Sequence, residues 1–132
     1  MMTNEEMFAI VKTCVVDTFA IDESKVELTS NLMNDLGAES LDLLDLVFRL
    51  ERAFHIEIRR GEIENAIRTA VGDENFVQDG ILTNAALEQL KTVLPEAQDQ
   101  IKEGFRQQDI VSLFTVETFY NIVKRKLEQA KV

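Results

Sequence analysis

Three stretches of this chain repeat apolar residues every three or four positions, and that period admits little besides α-helix. Met7, Ile10, Val11, Cys14, Val15 and Phe19 form the first stripe, Leu43, Leu46, Val47, Leu50 and Phe54 the second, and Val116, Phe119, Tyr120, Val123 and Leu127 the third. Residues three and four apart share a helix face, so each stripe predicts a helix with one buried side. A hydrophobic content of 45% over 132 residues fits one folded domain rather than a disordered chain. The fold class expected is all-α.

Local signals set the ends of these helices. Thr3-Asn4-Glu5-Glu6 reads as a capping box, with Thr3 as N-cap and Glu6 three residues on. From Ala20 to Glu39 the period is lost, and Asp22, Ser24, Thr29, Ser30, Asn31 and Asn34 favour turns. Val26, Leu28, Leu32 and Leu36 are expected to pin this loop to the core. A loop of that length in a compact domain is unusual unless it serves function. Gly37 supplies backbone freedom just before the second helix, which should run from Ser40 to about Ala53. Beyond it Phe54, Ile56 and Ile58 alternate with His55 and Glu57, an extended exit that packs every second side chain inward and leaves His55 in solvent.

The middle of the chain reads as an ordered helical addition at about residues 61–111. Ile63, Ala66, Ile67, Ala70 and Val71 give one short stripe, and Ala86, Leu87, Leu90, Val93 and Leu94 another, capped by Thr83 or Asn84. Gly72-Asp73-Glu74-Asn75 and Asp79-Gly80 are turn signals around Phe76 and Val77. Pro95 ends one helical piece and can open the next, with Ile101 and Phe105 as its apolar contacts. The addition holds ten acids against four bases, and its apolar residues are expected to pack on the main helices or on a partner.

Charge and cysteine content exclude several classes. A formal charge of −10, with no basic cluster larger than Lys124-Arg125-Lys126, argues against a nucleic-acid partner and for basic protein surfaces. That cluster, with Lys131, is read as complementing the negative end of the last helix, expected over Val116 to about Glu128. Cys14 is the sole cysteine and falls on an apolar face, so a buried structural thiol is expected and a cytoplasmic setting permitted. No apolar run approaches a membrane span, and Glu5 and Glu6 without a basic residue argue against a signal or transit peptide. No metal site is expected, because the single histidine, His55, has no cysteine or second histidine near it. Asp73-Glu74-Asn75 resembles an EF-hand start, but Gln78 stands where that loop needs glycine.

The second helix carries a further apolar stripe, Leu41, Leu44 and Phe48, nearly opposite its core face. An ordinary surface helix has no reason for one. Asp35, Glu39, Asp42 and Asp45 surround it, and no Lys or Arg lies between Asn31 and Phe48. Ser40, where the loop becomes the helix, should expose its hydroxyl beside free backbone N–H groups and the positive end of the helix dipole. A serine so placed could equally be a plain N-cap.

The stretch Asp35-Leu36-Gly37-Ala38-Glu39-Ser40-Leu41 and the apolar, acidic helix after it resemble the attachment site of acyl carrier proteins, where Asp is the common residue at the place of Glu39. The resemblance covers about residues 3–60 and 112–129, the last helix entering at Thr115-Val116-Glu117. It implies a four-helix bundle with additional helices inserted between the second and last major helices, in a single carrier domain over 1–132. It implies a 4′-phosphopantetheine arm on Ser40, taken from coenzyme A, whose thiol holds acyl groups as thioesters for fatty acid, special lipid or polyketide-type synthesis.

On this reading the protein is a carrier and no enzyme, a monomer that enters no membrane. Its partners are a phosphopantetheinyl transferase and a ketosynthase, acyltransferase or acyl-activating enzyme with a basic docking surface. Docking falls to Asp35, Glu39, Leu41, Asp42, Leu44, Asp45, Phe48, Arg49 and Arg52. Leu36, Leu43, Leu46, Val47, Leu50, Phe54 and Ile58 form the core and the space for the acyl chain. Arg49 and Arg52 depart from the family's strongly acidic helix and, with the insertion, point to dedicated partner enzymes. Two alternatives are a peptidyl or aminoacyl carrier, disfavoured by the acid before Ser40, and an unmodified acidic interaction protein.

Overall fold

Helix starts in this protein are made by side chains that replace missing backbone partners. Thr3 Oγ1 accepts the N–H of Glu6 at 3.1 Å while Glu6 Oε1 accepts that of Thr3 at 3.3 Å, the reciprocal cap expected of this sequence. Helix α1 follows over Asn4–Phe19 and stops at Ala20, which adopts a left-handed conformation. The computed structural model describes residues 2–59 and 61–130, the side chain of Ala130 excepted. They form two compact units, one of Met1–Ile58 with Phe114–Val132 and one of Arg59–Leu113.

In the first unit α1 packs against α2 (Ser40–Phe54) and α5 (Val116–Ala130), and α2 also meets α5. Met7, Val11, Cys14 and Val15 of α1, Leu46, Leu50 and Phe54 of α2, and Val116, Phe119, Ile122 and Val123 of α5 are buried. Phe8 and Tyr120 meet edge to face with ring centroids 6.1 Å apart. The core stripes are narrower than the period predicts. Leu43, Val47, Tyr120 and Leu127 are only half-buried. Ile122 and Thr118 are buried in addition, because α5 lies between two neighbours and turns a broader face inward.

The loop before α2 is held by a distant part of the chain. The N–H groups of Val116 and Glu117, in the first turn of α5, donate to the carbonyls of Ser30 and Leu28 at 3.0 Å each, and Leu32 N–H donates to the Phe114 carbonyl at 3.0 Å. The loop thus satisfies donors that a helix start leaves open. Val26 and Leu32 are buried beneath it, while Leu28 and Leu36 are half-buried.

The second unit has its own organisation. Its helices α3 (Glu62–Val71) and α4 (Asn84–Val93) pack on each other, so the addition need not borrow a surface for its apolar residues. Ile63, Ile67, Phe76, Leu82, Leu87, Leu90, Leu94 and Ile110 are buried. Ala66 and Ala70, expected on the inner stripe of α3, are exposed; the two isoleucines suffice to seat that short helix. Thr83 caps α4 by accepting the N–H of Ala86 at 3.1 Å. Pro95 opens a 3-10 turn, Pro95–Gln100, as its fixed φ allows.

One element is new relative to the all-helical expectation. Strands β1 (Val77–Gln78) and β2 (Ile81–Leu82) form a two-stranded antiparallel hairpin, pairing Val77 with Leu82. Asp79 and Gly80 both have positive φ, 56° and 80°, the turn in which Asp-Gly matches strand twist. Otherwise the architecture is helical, with extra helices lying in sequence between α2 and α5.

The basic cluster also differs from expectation. Because α5 continues to Ala130, Lys124, Arg125 and Lys126 sit before its last turn, where the end of the dipole acts weakly. Lys131 lies outside the described residues.

Candidate functional site

The turn that leads into α2 is built around Asn31 and Asp35. The N–H of Asn31 donates to Asp35 Oδ2 at 2.7 Å, and Asn31 Oδ1 accepts the N–H groups of Met33 and Asn34 at 3.0 and 2.8 Å. Asp35 therefore shapes the loop as well as adding charge. Gly37 follows with φ +70°, a conformation in which an L side chain is strained although no atom would touch its Cβ. Ala38 is buried and its N–H donates to the Leu32 carbonyl at 2.8 Å, which anchors the chain immediately before Ser40.

Glu39, not Ser40, occupies the N-cap position of α2. The Glu39 N–H donates to Asp42 Oδ2 at 2.9 Å, and its carbonyl accepts the N–H of Leu43 at 3.1 Å. Ser40 is thus the first helical residue, and it is exposed. Its hydroxyl makes no hydrogen bond among the described residues, so the plain N-cap alternative does not hold. The sequence carried the signal: the spacing of Glu39 and Asp42 is that of a capping box. Asp42 was expected as docking charge alone, and its bond to the Glu39 N–H was missed.

The outer face of α2 presents Leu41, Leu44 and Phe48 at 76%, 37% and 56% exposure, the second apolar stripe expected there. The acids along it are less alike than the sequence suggests. Asp45 Oδ2 lies 3.2 Å from Arg49 Nε in an ion pair one helical turn long, and Asp35 is engaged in its loop. Glu39 and Asp42 remain as the acids nearest Ser40. Glu51, two turns beyond Leu44, is half-buried and accepts the N–H of Ile58 on Oε2 at 3.0 Å.

On the inner face Leu46 and Leu50 are fully buried, Phe54 and Ile58 nearly so, and Leu36, Leu43 and Val47 half-buried. A surface cleft of about 310 Å³, lined by Phe8, Ala9, Lys12 and Val16 of α1 with Glu5, Thr13 and Glu23, includes none of these residues. Cys14 is buried on α1, and burial first, then the charge of Asp17, pushes its thiol up, partly offset by Arg49. His55 ends α2, exposed and left-handed with φ 57°. No helix among the described residues is long and apolar enough to cross a membrane.

Sequence relatives coincide with this site. A family model described as "Phosphopantetheine attachment site" matches residues 9–71. An acyl carrier protein of Petrotoga mobilis is 37% identical over 78 residues, which is 59% of this chain and 91% of the relative. Those of Thermotoga maritima and Lactobacillus acidophilus are 38% and 40% identical over 73 and 72 residues, covering 55% and 54% of this chain and 88% of each relative. The chain belongs to the acyl carrier protein family. Its prosthetic group is accordingly 4′-phosphopantetheine. The matched span runs from within α1 through the long loop and α2 to the end of α3, and ends well before α5.

The residues around Ser40 fit such a group. A phosphodiester on the hydroxyl would stand at the positive end of α2, beside the N–H groups of Ser40 and Leu41, which have no partner among the described residues. Asp42, the closest acid in sequence after them, has one carboxylate oxygen already occupied by the Glu39 N–H.

Proposed function

We propose that Ser40 carries the 4′-phosphopantetheine arm and that the chain hands acyl groups between enzymes as thioesters on that arm. The observation that supports this most is the state of the Ser40 hydroxyl: exposed, at the first position of α2, and released from capping by Glu39 and Asp42. A phosphopantetheinyl transferase joins Ser40 Oγ to the 4′-phosphate of coenzyme A, the nucleotide part leaves as 3′,5′-ADP, and the hydroxyl proton passes to the transferase. When bound, the arm supplies a terminal thiol that forms and exchanges thioesters.

The chain's own residues then position and shield rather than react. The N–H groups of the first turn hold the phosphodiester, and the α2 strip of Leu41, Leu44 and Phe48 meets the partner while Glu39 and Asp42 steer it. Leu36, Leu43, Leu46, Val47, Leu50, Phe54 and Ile58 are the side chains between which an acyl chain would lodge. Ser40 has no histidine beside it among the described residues. His55 lies fifteen residues further along, about 20 Å by helical rise, so serine chemistry of the hydrolase kind finds no support.

Arg49 and Arg52 and the second unit support a carrier dedicated to one route, a special lipid or secondary metabolite, served by its own ketosynthase, acyltransferase or acyl-activating enzyme in the cytoplasm. Residues 61–111, of which the family match reaches as far as 71, are then an addition to a single carrier domain. Intact mass after incubation with coenzyme A and a phosphopantetheinyl transferase tests the attachment. One phosphopantetheine should be added to the wild type and none to Ser40→Ala. An unchanged wild-type mass with several such transferases would overturn the reading.

A further inference from the structure

The exposed strip of α2 changes sign along its length. Glu39 and Asp42 stand at the Ser40 end, Asp45 and Arg49 form a 3.2 Å pair in the middle, and Arg52 projects into solvent at the far end. Glu51, the acid next to Arg52, is half-buried and holds the Ile58 N–H, so Arg52 is the exposed charge at that end. Leu41 and Phe48 lie on the same side of the helix, 76% and 56% exposed. A partner laid along this strip covers an apolar centre with negative charge at one end and positive charge at the other.

We infer that the enzyme reading this carrier has a bipolar docking surface: basic groups against Glu39 and Asp42, and an acidic group against Arg52 that also competes with Asp45 for Arg49. The inference rests on the carrier reading and names the chemistry of the partner for that same site. Charge complementarity carries it. A uniformly basic surface would gain Glu39 and Asp42 but would place like charges opposite Arg52, and like charges at an interface suppress wrong partners strongly. An acid opposite Arg52 converts that repulsion into a pair and fixes the direction in which α2 lies, so that the arm on Ser40 points to the partner's active site rather than away from it.

The experiment uses the phosphopantetheinylated, acyl-loaded protein and a ketosynthase whose docking surface is uniformly basic. The acyl-transfer kcat/KM is compared for the wild type, for Arg49→Glu with Arg52→Glu, and for a charge-matched control on α5, Lys124→Glu with Arg125→Glu. The α2 double variant should gain on the order of tenfold, through KM, with the gain fading as salt is raised. The α5 control should gain far less. Placing a single Glu on the ketosynthase surface opposite Arg52 should raise transfer from the wild type and lower it from the α2 variant. No gain in the α2 variant, or an equal gain in the α5 control, overturns the bipolar partner while leaving the carrier reading intact. A wild type that takes up no phosphopantetheine by mass overturns both.

Discussion

The backbone N–H of Glu39 donates to Asp42 Oδ2 at 2.9 Å, so the start of α2 is capped from within and Ser40 is left out of the cap. In most helices a serine beside the first turn is spent on the orphan N–H groups there. Here the Asp42 carboxylate takes the Glu39 N–H, the next N–H groups keep no partner among the described residues, and the Ser40 hydroxyl stays unengaged.

Removing that cap should loosen the site without removing the serine. Asp42→Ala is expected to cost about 1 kcal/mol of stability, the usual loss for a helix cap. Urea denaturation followed by circular dichroism measures it. Phosphopantetheine loading by intact mass should still occur, more slowly.

Gly37→Ala should cost about 1 kcal/mol, because φ +70° strains any residue with a Cβ. No atom lies within 4 Å of that Cβ, so Gly37→Asn, which tolerates the left-handed region, should lose less than alanine. An alanine loss equal to or smaller than the asparagine loss in chemical denaturation would contradict a conformational origin.

The two faces of α2 should separate stability from transfer. Leu50→Ala removes a fully buried side chain and is expected to cost about 2–5 kcal/mol. Leu41→Ala, at a position 76% exposed, should leave the melting temperature nearly unchanged while raising KM with partner enzymes. Thermal melts and acyl-transfer kinetics on the same two proteins check the pair.

Cys14 should contribute to stability in a pH-dependent way. Burial, then Asp17, pushes its thiol above the ordinary value of 9.0, so the folded state keeps the proton that the unfolded chain releases. That contribution is complete below pH 9 and is lost as pH rises through the folded value. Urea midpoints taken between pH 8 and pH 10.5 should therefore fall more steeply for the wild type than for Cys14→Ala. In the native protein the thiol should also react slowly with alkylating reagents at neutral pH.

Much of this protein was legible in its sequence because the decisive signals are local. The period of three and four marks α1, α2 and α5, the Thr3 and Glu6 spacing marks a cap, and the residues from Asp35 to Leu41 carry the likeness to the family. The exposed Leu41, Leu44 and Phe48 were visible as a second stripe that a core cannot absorb. The hairpin at Asp79-Gly80 was missed although its turn was seen, since the flanking strands are two residues each and too short to show a period of two.

What required the tertiary structure is everything set by residues far apart along the chain. The loop before Ser40 is shaped by the Ser30 and Leu28 carbonyls meeting the N–H groups of Val116 and Glu117, a pairing across more than eighty residues. The second unit buries apolar residues by packing α3 on α4, which composition alone left open. The acids on α2 look equivalent as letters. Only side-chain geometry assigns one to a turn, one to a cap and one to Arg49, because a carboxylate's role depends on which donor the fold brings within hydrogen-bond reach.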